Sequence, residues 1–253
     1  MESLRIAGLN LDIKWKDKKQ NFEDVMQKCS ALEADVVVLP EMFSTGFCMD
    51  AHEIADKENE SLLFMKRLAA TKKIAVCGSA AVFENGNYYN RFYFVKPDTT
   101  YKYYDKRHLF SYAGEDGQYT AGQRRVVVFY EGWKILLQVC YDVRFPVFSR
   151  NRNDYDLIIY CANWPETRIA AWEHLLKARA IENLAFVFGV NRTGTDGTGI
   201  FYPESSHCFF ADGTETSKTQ QGIISAQLNM EELQKFRERF QFLSDGDEFD
   251  LKL

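Results

Sequence analysis

The sequence predicts a layered domain of mixed α/β architecture in which helices cover β-sheets. Short apolar runs rich in β-branched and aromatic residues recur along the chain, as is typical of strands. Amphipathic helical patterns lie between several of these runs. The 253 residues, 46% of them hydrophobic, are close to the upper limit of what one hydrophobic core supports. A single domain that spans residues 1–253 is therefore expected.

Strands are predicted where short apolar runs are bounded by polar or turn-forming residues. These runs are LRIAGL at 4–9, VVVLP at 36–40, IAVCG at 74–78, YYNRFYFV at 88–95, VVVF at 126–129, WKILLQV at 133–139, LIIYC at 157–161 and AFVFGV at 185–190. The turn signals ENGN at 84–87 and ADGT at 211–214 predict hairpin connections. The segment TGTDGTG at 193–199 predicts a flexible loop near a functional edge.

Helices are predicted for residues 21–35, 58–73 and 168–183, where apolar side chains recur at spacings of three or four. In the first segment this stripe extends to Leu32. The tail at 230–253 begins as an amphipathic helix and then becomes acidic. It is expected either to dock on its own domain or to form a subunit contact, because exposed aromatic side chains on a terminal helix need a partner.

Composition argues against several classes of function. The net charge is −5, and lysine and arginine are scattered, which argues against nucleic-acid binding. No apolar run approaches the roughly 18 residues that span a bilayer, so no membrane association is expected. The N-terminal sequence lacks a secretion leader, and a cytoplasmic location is the expectation. The six cysteines form no CxxC pair and the histidines are not closely spaced, which argues against a metal site.

Two cysteines are candidates for a nucleophile. Cys140 and Cys161 each end an apolar run and precede polar residues and a proline, at the strand ends where layered α/β folds place active sites. Packing accounts for Cys29, Cys77 and Cys208, whereas Cys48 lies in a polar loop. Position along the chain does not distinguish Cys140 from Cys161.

The group that activates a nucleophilic thiol is also open at this point. None of the four histidines carries a local signature of the cysteine and histidine hydrolases, although such a pair stays possible. Glu41 follows a buried strand, and Lys106 follows an aromatic one. Each alone is usually a solvated charge, because glutamate and lysine are almost never fully buried unless they are paired.

Several sequence blocks together resemble the nitrilase superfamily of carbon-nitrogen hydrolases. These blocks are LPEMFSTGF, YDKRHLF and CYDVRFP, followed by ANWP at 162–165, ARAIEN at 178–183 and NRTGTDG at 191–197. Within the superfamily, the combination of DKRHLF, CYDVRFPVFSRN, YDLIIYCANWP and the ending DEFDL is most similar to bacterial omega-amidases. The resemblance implies a four-layer αββα sandwich, an α+β arrangement of two sheets between helices, and a homodimer.

The resemblance also implies roles for individual residues. Cys140 would be the nucleophile, Glu41 the general base and Lys106 the cation that stabilises the oxyanion. Glu115, in the block HLFSYAGED, matches a second glutamate beside the cysteine, although this block diverges from the commoner family motif. The scheme needs neither a metal nor an organic cofactor. Lys106 is further expected to favour the thiolate form of Cys140, because a nearby opposite charge lowers the pKa of an acid.

Three further residues are assigned supporting roles or left with alternatives. The backbone N–H of Tyr141 is expected to form the oxyanion hole with Lys106. Asn163 is expected either to orient Lys106 or a glutamate, or to cap its loop as an Asx turn. Arg144 could bind a substrate carboxylate or pair with a structural acid, Asp142 or Asp154.

The expected activity is hydrolysis of the terminal amide of a small 2-oxo acid amide, such as 2-oxoglutaramate, through a thioester on Cys140. The products would be the dicarboxylate and ammonia. Another small amide, an N-carbamoyl compound or a nitrile is the nearest alternative substrate, because the same three residues serve all of them. A catalytically silent binding or scaffold protein is the alternative from a different class.

Overall fold

The structure is a computed structural model that describes residues 2–251. Met1, Lys252 and Leu253, which the predicted domain and tail include, lie outside the described residues. Across the described part of the chain, no helix is both long and apolar enough to cross a membrane.

Except for a C-terminal helix that follows the last strand, the α-helices lie between strands in two parts of the chain, residues 3–84 and 133–191, and the other strands within residues 2–251 follow one another without an intervening α-helix. The strands are β1 (Ser3–Leu9), β2 (Val36–Val38), β3 (Ala75–Glu84), β4 (Asn87–Val95), β5 (Tyr101–Asp105), β6 (Val127–Tyr130), β7 (Trp133–Val139), β8 (Leu157–Ala162), β9 (Phe186–Asn191), β10 (Gly194–Thr195), β11 (Phe201–Tyr202), β12 (His207–Phe209), β13 (Lys218–Gln220) and β14 (Ile223–Asn229). The helices are α1 (Lys18–Lys28), α2 (Ala51–Ile54), α3 (Glu60–Lys72), α4 (Pro146–Ser149), α5 (Ile169–Asn183) and α6 (Met230–Arg239). Every predicted strand and helix is present, although α1 ends seven residues before its predicted end and β3 extends six residues beyond its predicted end.

Two mixed sheets form the centre of the fold. The larger has the strand order β13-β14-β1-β2-β3-β4-β5, and the smaller has the order β12-β9-β8-β7-β6. In each sheet three central strands run parallel, β1-β2-β3 and β7-β8-β9, and antiparallel strands flank them. Because parallel strands end at the same edge, each sheet collects several strand-to-loop junctions at one place.

The two sheets pack face to face and helices cover their outer faces. Val36 and Val38 of β2 belong to the hydrophobic cluster that includes Ile135 of the smaller sheet, whereas Val37 belongs to the cluster that includes Val25 of α1 and residues of α3. This alternation follows from the two-residue period of a strand. On the far side, α5 and α6 pack against the smaller sheet. The predicted four-layer αββα sandwich is therefore confirmed.

One detail of the predicted helices is wrong. Helix α1 ends at Lys28, where the N–H of Cys29 bonds back to the carbonyl of Val25, so Leu32 lies beyond the helix. The ADGT segment forms the predicted hairpin turn, because Phe209 and Glu215 make an antiparallel bridge and the N–H of Phe210 bonds to the Thr214 carbonyl. This pairing is short, since β12 otherwise pairs with β9, and β13 pairs with β14 at the edge of the larger sheet. The ENGN hairpin between β3 and β4 is confirmed.

The C-terminal helix packs on its own chain. Leu233 is fully buried, and the ring of Phe236 meets that of Phe210 edge to face at 5.2 Å. Phe242, in the turn that follows α6, is 57% exposed. Intramolecular packing therefore accounts for the apolar face of α6, and a subunit contact through the tail stays a prediction.

Close packing of α5 on the smaller sheet depends on Gly189 in β9. A Cβ atom at this position would lie 2.5 Å from Cδ1 of Leu176 and 3.0 Å from Cζ2 of Trp172. We expect Gly189→Val to lower the free energy of unfolding by about 1–3 kcal/mol, because overpacking forces the helix away from the sheet. Urea unfolding measures this change. Gly117→Ala is the control, since a Cβ atom there meets nothing within 4 Å, and an equal loss in both variants would contradict the packing argument.

Candidate active site

Polar side chains from both sheets converge where several strands end. Cys140 directly follows β7, Asn163 directly follows β8 and Lys106 directly follows β5, while Glu41 follows β2 after one leucine and one proline. Glu115 joins them from a short 3-10 turn. The side chains of Glu41, Lys106 and Glu115 are completely buried. The structure thus brings together all the residues for which the resemblance implied catalytic roles.

Lys106 lies between two buried carboxylates. Its Nζ is 2.8 Å from Oε1 of Glu41 and 2.8 Å from Oε2 of Glu115. Asn90 of β4 donates from Nδ2 to both glutamates, at 2.8 Å and 3.1 Å. The N–H of Phe110 donates to Glu115 at 2.6 Å. Each charged group therefore has an opposite charge and further hydrogen bonds, as buried ionic groups require.

The charges in this cluster shift one another's pKa values. Burial acts to lower the pKa of Lys106, but the carboxylates of Glu115 and Glu41 raise it well above its ordinary value. Burial raises the pKa of Glu115, and the charge of Glu41 adds to the rise while Lys106 opposes it. Lys106 is therefore a permanent ammonium, and Glu115 accepts a proton more readily than an exposed glutamate.

Asn163 fixes the position of Glu41. Its backbone N–H donates to Oε2 of Glu41 at 2.9 Å, and its Nδ2 donates to the Glu41 carbonyl at 2.6 Å. Within residues 2–251 its Oδ1 has no hydrogen-bond partner. An Asx turn requires that oxygen as acceptor, so this alternative is wrong. Asn163 was expected to orient either Lys106 or a glutamate, and in the structure it binds Glu41.

Cys140 begins a tight 3-10 turn, Cys140–Arg144, at the end of β7. Its φ angle is +46°, which is uncommon for a residue with a side chain. Such strained residues cluster at functional sites, where the surrounding structure holds them in place. The Cys140 thiol lies 3.9 Å from the Asn163 carbonyl, and only 8% of the residue is exposed. The turn presents this thiol at the floor of a cavity.

The structure separates the two cysteines that the sequence left equivalent. Cys161 lies inside β8, because Ala162 continues the pairing with Asn191, and it is fully buried away from the cavity. The sequence predicted that the strand ends at Cys161, and this is wrong by one residue because β8 ends at Ala162. Since side chains alternate between the two faces of a sheet, the shift of one residue places the Cys161 side chain on another face. Cys48, unlike Cys161, lines the same cavity as Cys140.

The protonation state of Cys140 differs from the expectation. Burial raises the pKa of its thiol well above the ordinary value, and the charge of Glu41 adds to this while Lys106 opposes it. Lys106 acts on the thiol in the predicted direction, but desolvation and the charge of Glu41 outweigh it, so the expectation that it holds Cys140 as a thiolate is wrong for the resting protein. Cys140 therefore rests as a thiol beside a carboxylate that can accept its proton.

The cavity has a volume of about 340 Å³ and a largely aromatic wall. It is lined by Trp15, Phe47, Cys48, Met49, Lys106, Phe110, Ala113, Cys140, Tyr141, Arg144, Asn163, Trp164, Pro165, Arg168, Asp196, Thr198, Ile200 and Tyr202. The glycine-rich segment at 193–199 was the one signal for its rim, and it does contribute residues 196 and 198. Sequence reasoning missed the aromatic lining and Arg168, because these residues come from loops with no common motif.

Arg144 points its charge at the cavity without an acidic partner. Its guanidinium lies 5.0 Å from the centre of the Trp164 ring, and among the described residues it forms no ion pair. Asp142 is bound by other donors and Asp154 pairs with Arg125. The expected pairing of Arg144 with Asp142 or Asp154 is therefore wrong.

Tyr141 follows the nucleophile candidate in the same turn and also lines the cavity. Its ring packs between those of Phe110 and Phe145, at centroid distances of 5.0 Å and 5.1 Å. The first N–H groups of a helical turn have no partner within the turn, so the Tyr141 N–H is the kind of donor that an oxyanion hole uses.

Removing the positive charge of Lys106 should destabilise the fold in a pH-dependent way. In Lys106→Met the two buried carboxyls lose their counter-charge, and breaking a buried pair costs about 3–5 kcal/mol. A carboxyl whose pKa is raised on folding binds more protons in the folded state, so its contribution to stability is lost as pH rises above the ordinary value of 4.5. We therefore expect a larger loss of unfolding free energy at pH 8 than at pH 5, measured by urea unfolding. The control is Lys102→Met, an exposed position in β5, and a loss independent of pH would contradict the argument.

Comparison with known proteins agrees with this geometry. The profile of the carbon-nitrogen hydrolase family matches residues 5–238. The chain is 44% identical to the omega-amidase YafV of Yersinia enterocolitica, over 98% of this chain and 99% of that one. It is 31% identical to the 2-oxoglutaramate amidase of Bacillus subtilis strain 168, over 95% and 96% of the two chains.

A solved structure supports the same relationship. A carbon-nitrogen hydrolase superfamily protein from Xanthomonas campestris superimposes with a TM-score of 0.96 at 37% identity, over the full length of both chains. The predicted resemblance to this superfamily and to bacterial omega-amidases is confirmed. The chain belongs to the carbon-nitrogen hydrolase family and is a hydrolase of carbon-nitrogen bonds other than peptide bonds.

Proposed function

We propose that the protein is an omega-amidase that converts a small 2-oxo acid amide, 2-oxoglutaramate or a close analogue, to the carboxylate and ammonia. The observation that carries this proposal is the buried cluster of Glu41, Lys106 and Glu115 beside the Cys140 thiol. The names of the relatives support the substrate class. The cavity of about 340 Å³ lies at the small end of ligand pockets, as a short substrate requires.

The first half of the reaction forms a thioester. Glu41 takes the proton of Cys140 as the sulfur attacks the amide carbon, and general base catalysis of this kind contributes about 10²- to 10⁴-fold in rate. Negative charge develops on the former carbonyl oxygen, where Lys106 and the Tyr141 N–H stabilise it. One such donor is worth roughly 3–4 kcal/mol. When the intermediate collapses, Glu41 returns the proton to nitrogen and ammonia leaves.

The second half hydrolyses the thioester. Water enters the position that ammonia has left, and Glu41 takes a proton from it as the oxygen attacks the acyl carbon. The same oxyanion donors act again. The carbon-sulfur bond then breaks and Glu41 gives its proton back to Cys140, while the second proton of the water passes from the new carboxyl group to solvent as the carboxylate is released. Glu115 supports both halves because it holds the Lys106 ammonium through two contacts, at 2.8 Å and 3.1 Å.

Arg144 supplies recognition of the substrate's 2-oxo acid end. Its guanidinium lines the cavity on the face of Trp164, four residues after the nucleophile, and no acid among the described residues neutralises it. A planar guanidinium binds a carboxylate through two parallel hydrogen bonds. The aromatic wall suits the short aliphatic chain between the carboxylate and the amide.

The central test replaces the two neighbouring candidate cysteines separately. We expect Cys140→Ala to lower ammonia release from 2-oxoglutaramate by at least about 10⁴-fold, because it removes the sulfur that lies beside Glu41 and Lys106 and forms the thioester. Cys161→Ala should keep activity close to that of the unaltered protein, since Cys161 does not reach the cavity. Ammonia release and the intact mass of the trapped acyl-enzyme are measured.

The same assay distinguishes the alternatives. If the protein releases ammonia rapidly from another small amide, an N-carbamoyl compound or a nitrile and does not turn over 2-oxoglutaramate, that result would contradict the proposed substrate and leave the proposed mechanism in place. Full activity in Cys140→Ala would overturn the mechanism itself. Absence of turnover for every substrate, in protein that is folded, would favour a silent binding protein.

Arg144→Gln tests the recognition of the carboxylate. A hydrogen bond to a charged group is worth about 1.5–3 kcal/mol, so kcat/KM for 2-oxoglutaramate should fall about 10- to 100-fold. Turnover of butanamide, which has no carboxylate, should change little. Arg168→Gln is the matched control, because Arg168 also lines the cavity but lies over Phe110. Equal losses on both substrates would rule out a specific role of Arg144 in carboxylate binding.

A further inference from the structure

Asp142 is a fully buried carboxylate two residues after Cys140. It accepts hydrogen bonds from Val139 N–H and the Tyr104 hydroxyl at 2.9 Å each, through Oδ2. Its Oδ1 faces the backbone N–H of His108 at 3.1 Å and the ring Nδ1 of His108 at 2.7 Å. An ionised carboxylate offers about four lone-pair sites, and all are occupied here. The proposed mechanism assigns no role to this carboxylate.

The donors to Asp142 come from both sides of Lys106. Tyr104 is in β5, two residues before Lys106, and His108 is two residues after it. The Tyr104 hydroxyl also accepts the N–H of Arg107 at 2.9 Å. The carboxylate in the turn that carries the nucleophile thus binds the Tyr104 side chain before Lys106 and the backbone after it, directly at the N–H of His108 and through the Tyr104 hydroxyl at the N–H of Arg107.

The same carboxylate stabilises the turn itself. Its bond to the N–H of Val139 spans Cys140, the residue with a φ of +46°. The ring of His108 stacks on Phe145, directly after the turn, with a centroid distance of 3.9 Å and an angle of 8° between the ring planes. The segment that carries Lys106 and the turn that carries Cys140 are therefore fastened to each other by polar bonds and by ring stacking.

We infer that Asp142 is a positioning residue that sets Lys106 against Cys140 through Tyr104 and His108. The inference rests on the proposed function, in which Lys106 stabilises the oxyanion that forms at the carbon bound to Cys140. Glu41 and Glu115 fix the Lys106 ammonium, but neither belongs to the turn of the nucleophile. Asp142 joins the two parts, and a displacement of about 1 Å between reacting groups can cost about 10²-fold in rate.

The experiment uses Asp142→Asn, which keeps the shape but replaces one acceptor oxygen with a donor. At least one N–H or O–H group then meets another donor, and the Lys106 segment moves relative to Cys140. We expect kcat for 2-oxoglutaramate to fall about 10- to 100-fold while KM stays within about threefold, because Arg144 and the cavity wall are unchanged. Circular dichroism and thermal unfolding report whether the variant is folded.

Asp156→Asn is the matched control. Asp156 is also buried, and its carboxylate accepts from the N–H of Lys134 and from Arg237, remote from the cavity. This variant should lose stability and keep kcat. If Asp142→Asn lowers stability as Asp156→Asn does and leaves kcat unchanged, the inference is overturned.

A pair of substitutions at His108 keeps the test decisive if Asp142→Asn does not fold. In His108→Asn the amide nitrogen can take the place of ring Nδ1 and donate to Asp142, whereas His108→Ala removes this donor. Both lose the stacking on Phe145. We expect His108→Asn to retain most of the kcat that His108→Ala loses, and equal kcat values in the two variants would contradict the role of the bond.

Alkylation of Cys140 by chloroacetamide separates this inference from the proposed function. The rate at a fixed pH, followed by peptide mass spectrometry, requires no knowledge of the substrate. We expect Asp142→Asn to slow alkylation at Cys140 about tenfold and Asp156→Asn to leave it unchanged. If Asp142→Asn slows the alkylation of Cys140 and the unaltered protein does not hydrolyse 2-oxoglutaramate, the proposed substrate is refuted and the positioning role is supported. Unchanged alkylation and unchanged kcat would refute the positioning role alone.

Discussion

The structure around the cavity depends on one interaction, the burial of the Lys106 ammonium between the carboxylates of Glu41 and Glu115. None of these side chains is exposed to water. Removing an ion from water costs several kcal/mol, and the loss is offset only if each charge has a close counter-charge and its remaining hydrogen-bonding groups are satisfied. Asn90, Asn163 and the N–H of Phe110 supply those additional bonds. The cluster therefore requires several chain segments to be in register before it becomes stable.

This requirement explains why a fold of two packed sheets suits the site. Glu41 and Lys106 are carried by the larger sheet, while Cys140 and Asn163 follow neighbouring strands of the smaller one. Only when the two sheets pack face to face do these strand ends meet. The apolar layer between the sheets thus supplies the rigidity, and the polar groups at its edge supply the chemistry. A site held by sheets is defined more closely than one held by loops.

Sequence reasoning predicted the strands and helices well because period and turn chemistry are local. Local sequence could not show which of Cys140 and Cys161 is the nucleophile candidate, because both follow similar apolar runs. The distinction came from the family pattern, which also includes Glu41 and Lys106. Three features of the site depend on the three-dimensional structure and could not be predicted from the sequence. Cys161 lies in the buried interior of β8, and burial raises the pKa of the Cys140 thiol. Arg144 lies over the Trp164 ring and not beside the expected acid. The cavity wall joins loops far apart in sequence, and no pattern along the chain connects them.

The raised pKa of Cys140 has a consequence for how charge moves in this site. The proposed mechanism begins with two carboxylates, one ammonium and a neutral thiol, which together carry one excess negative charge. In that mechanism, transfer of the thiol proton to Glu41 would move the charge to sulfur, and attack on the amide would move it to the oxygen that faces Lys106. The total charge in the buried region does not change at either step. Because a low-dielectric interior penalises new charge far more than the displacement of existing charge, a neutral resting thiol is compatible with rapid attack. In the proposed mechanism the negative charge of Glu41, which adds to the effect of burial on the pKa of the thiol, is therefore the charge that the oxyanion later carries.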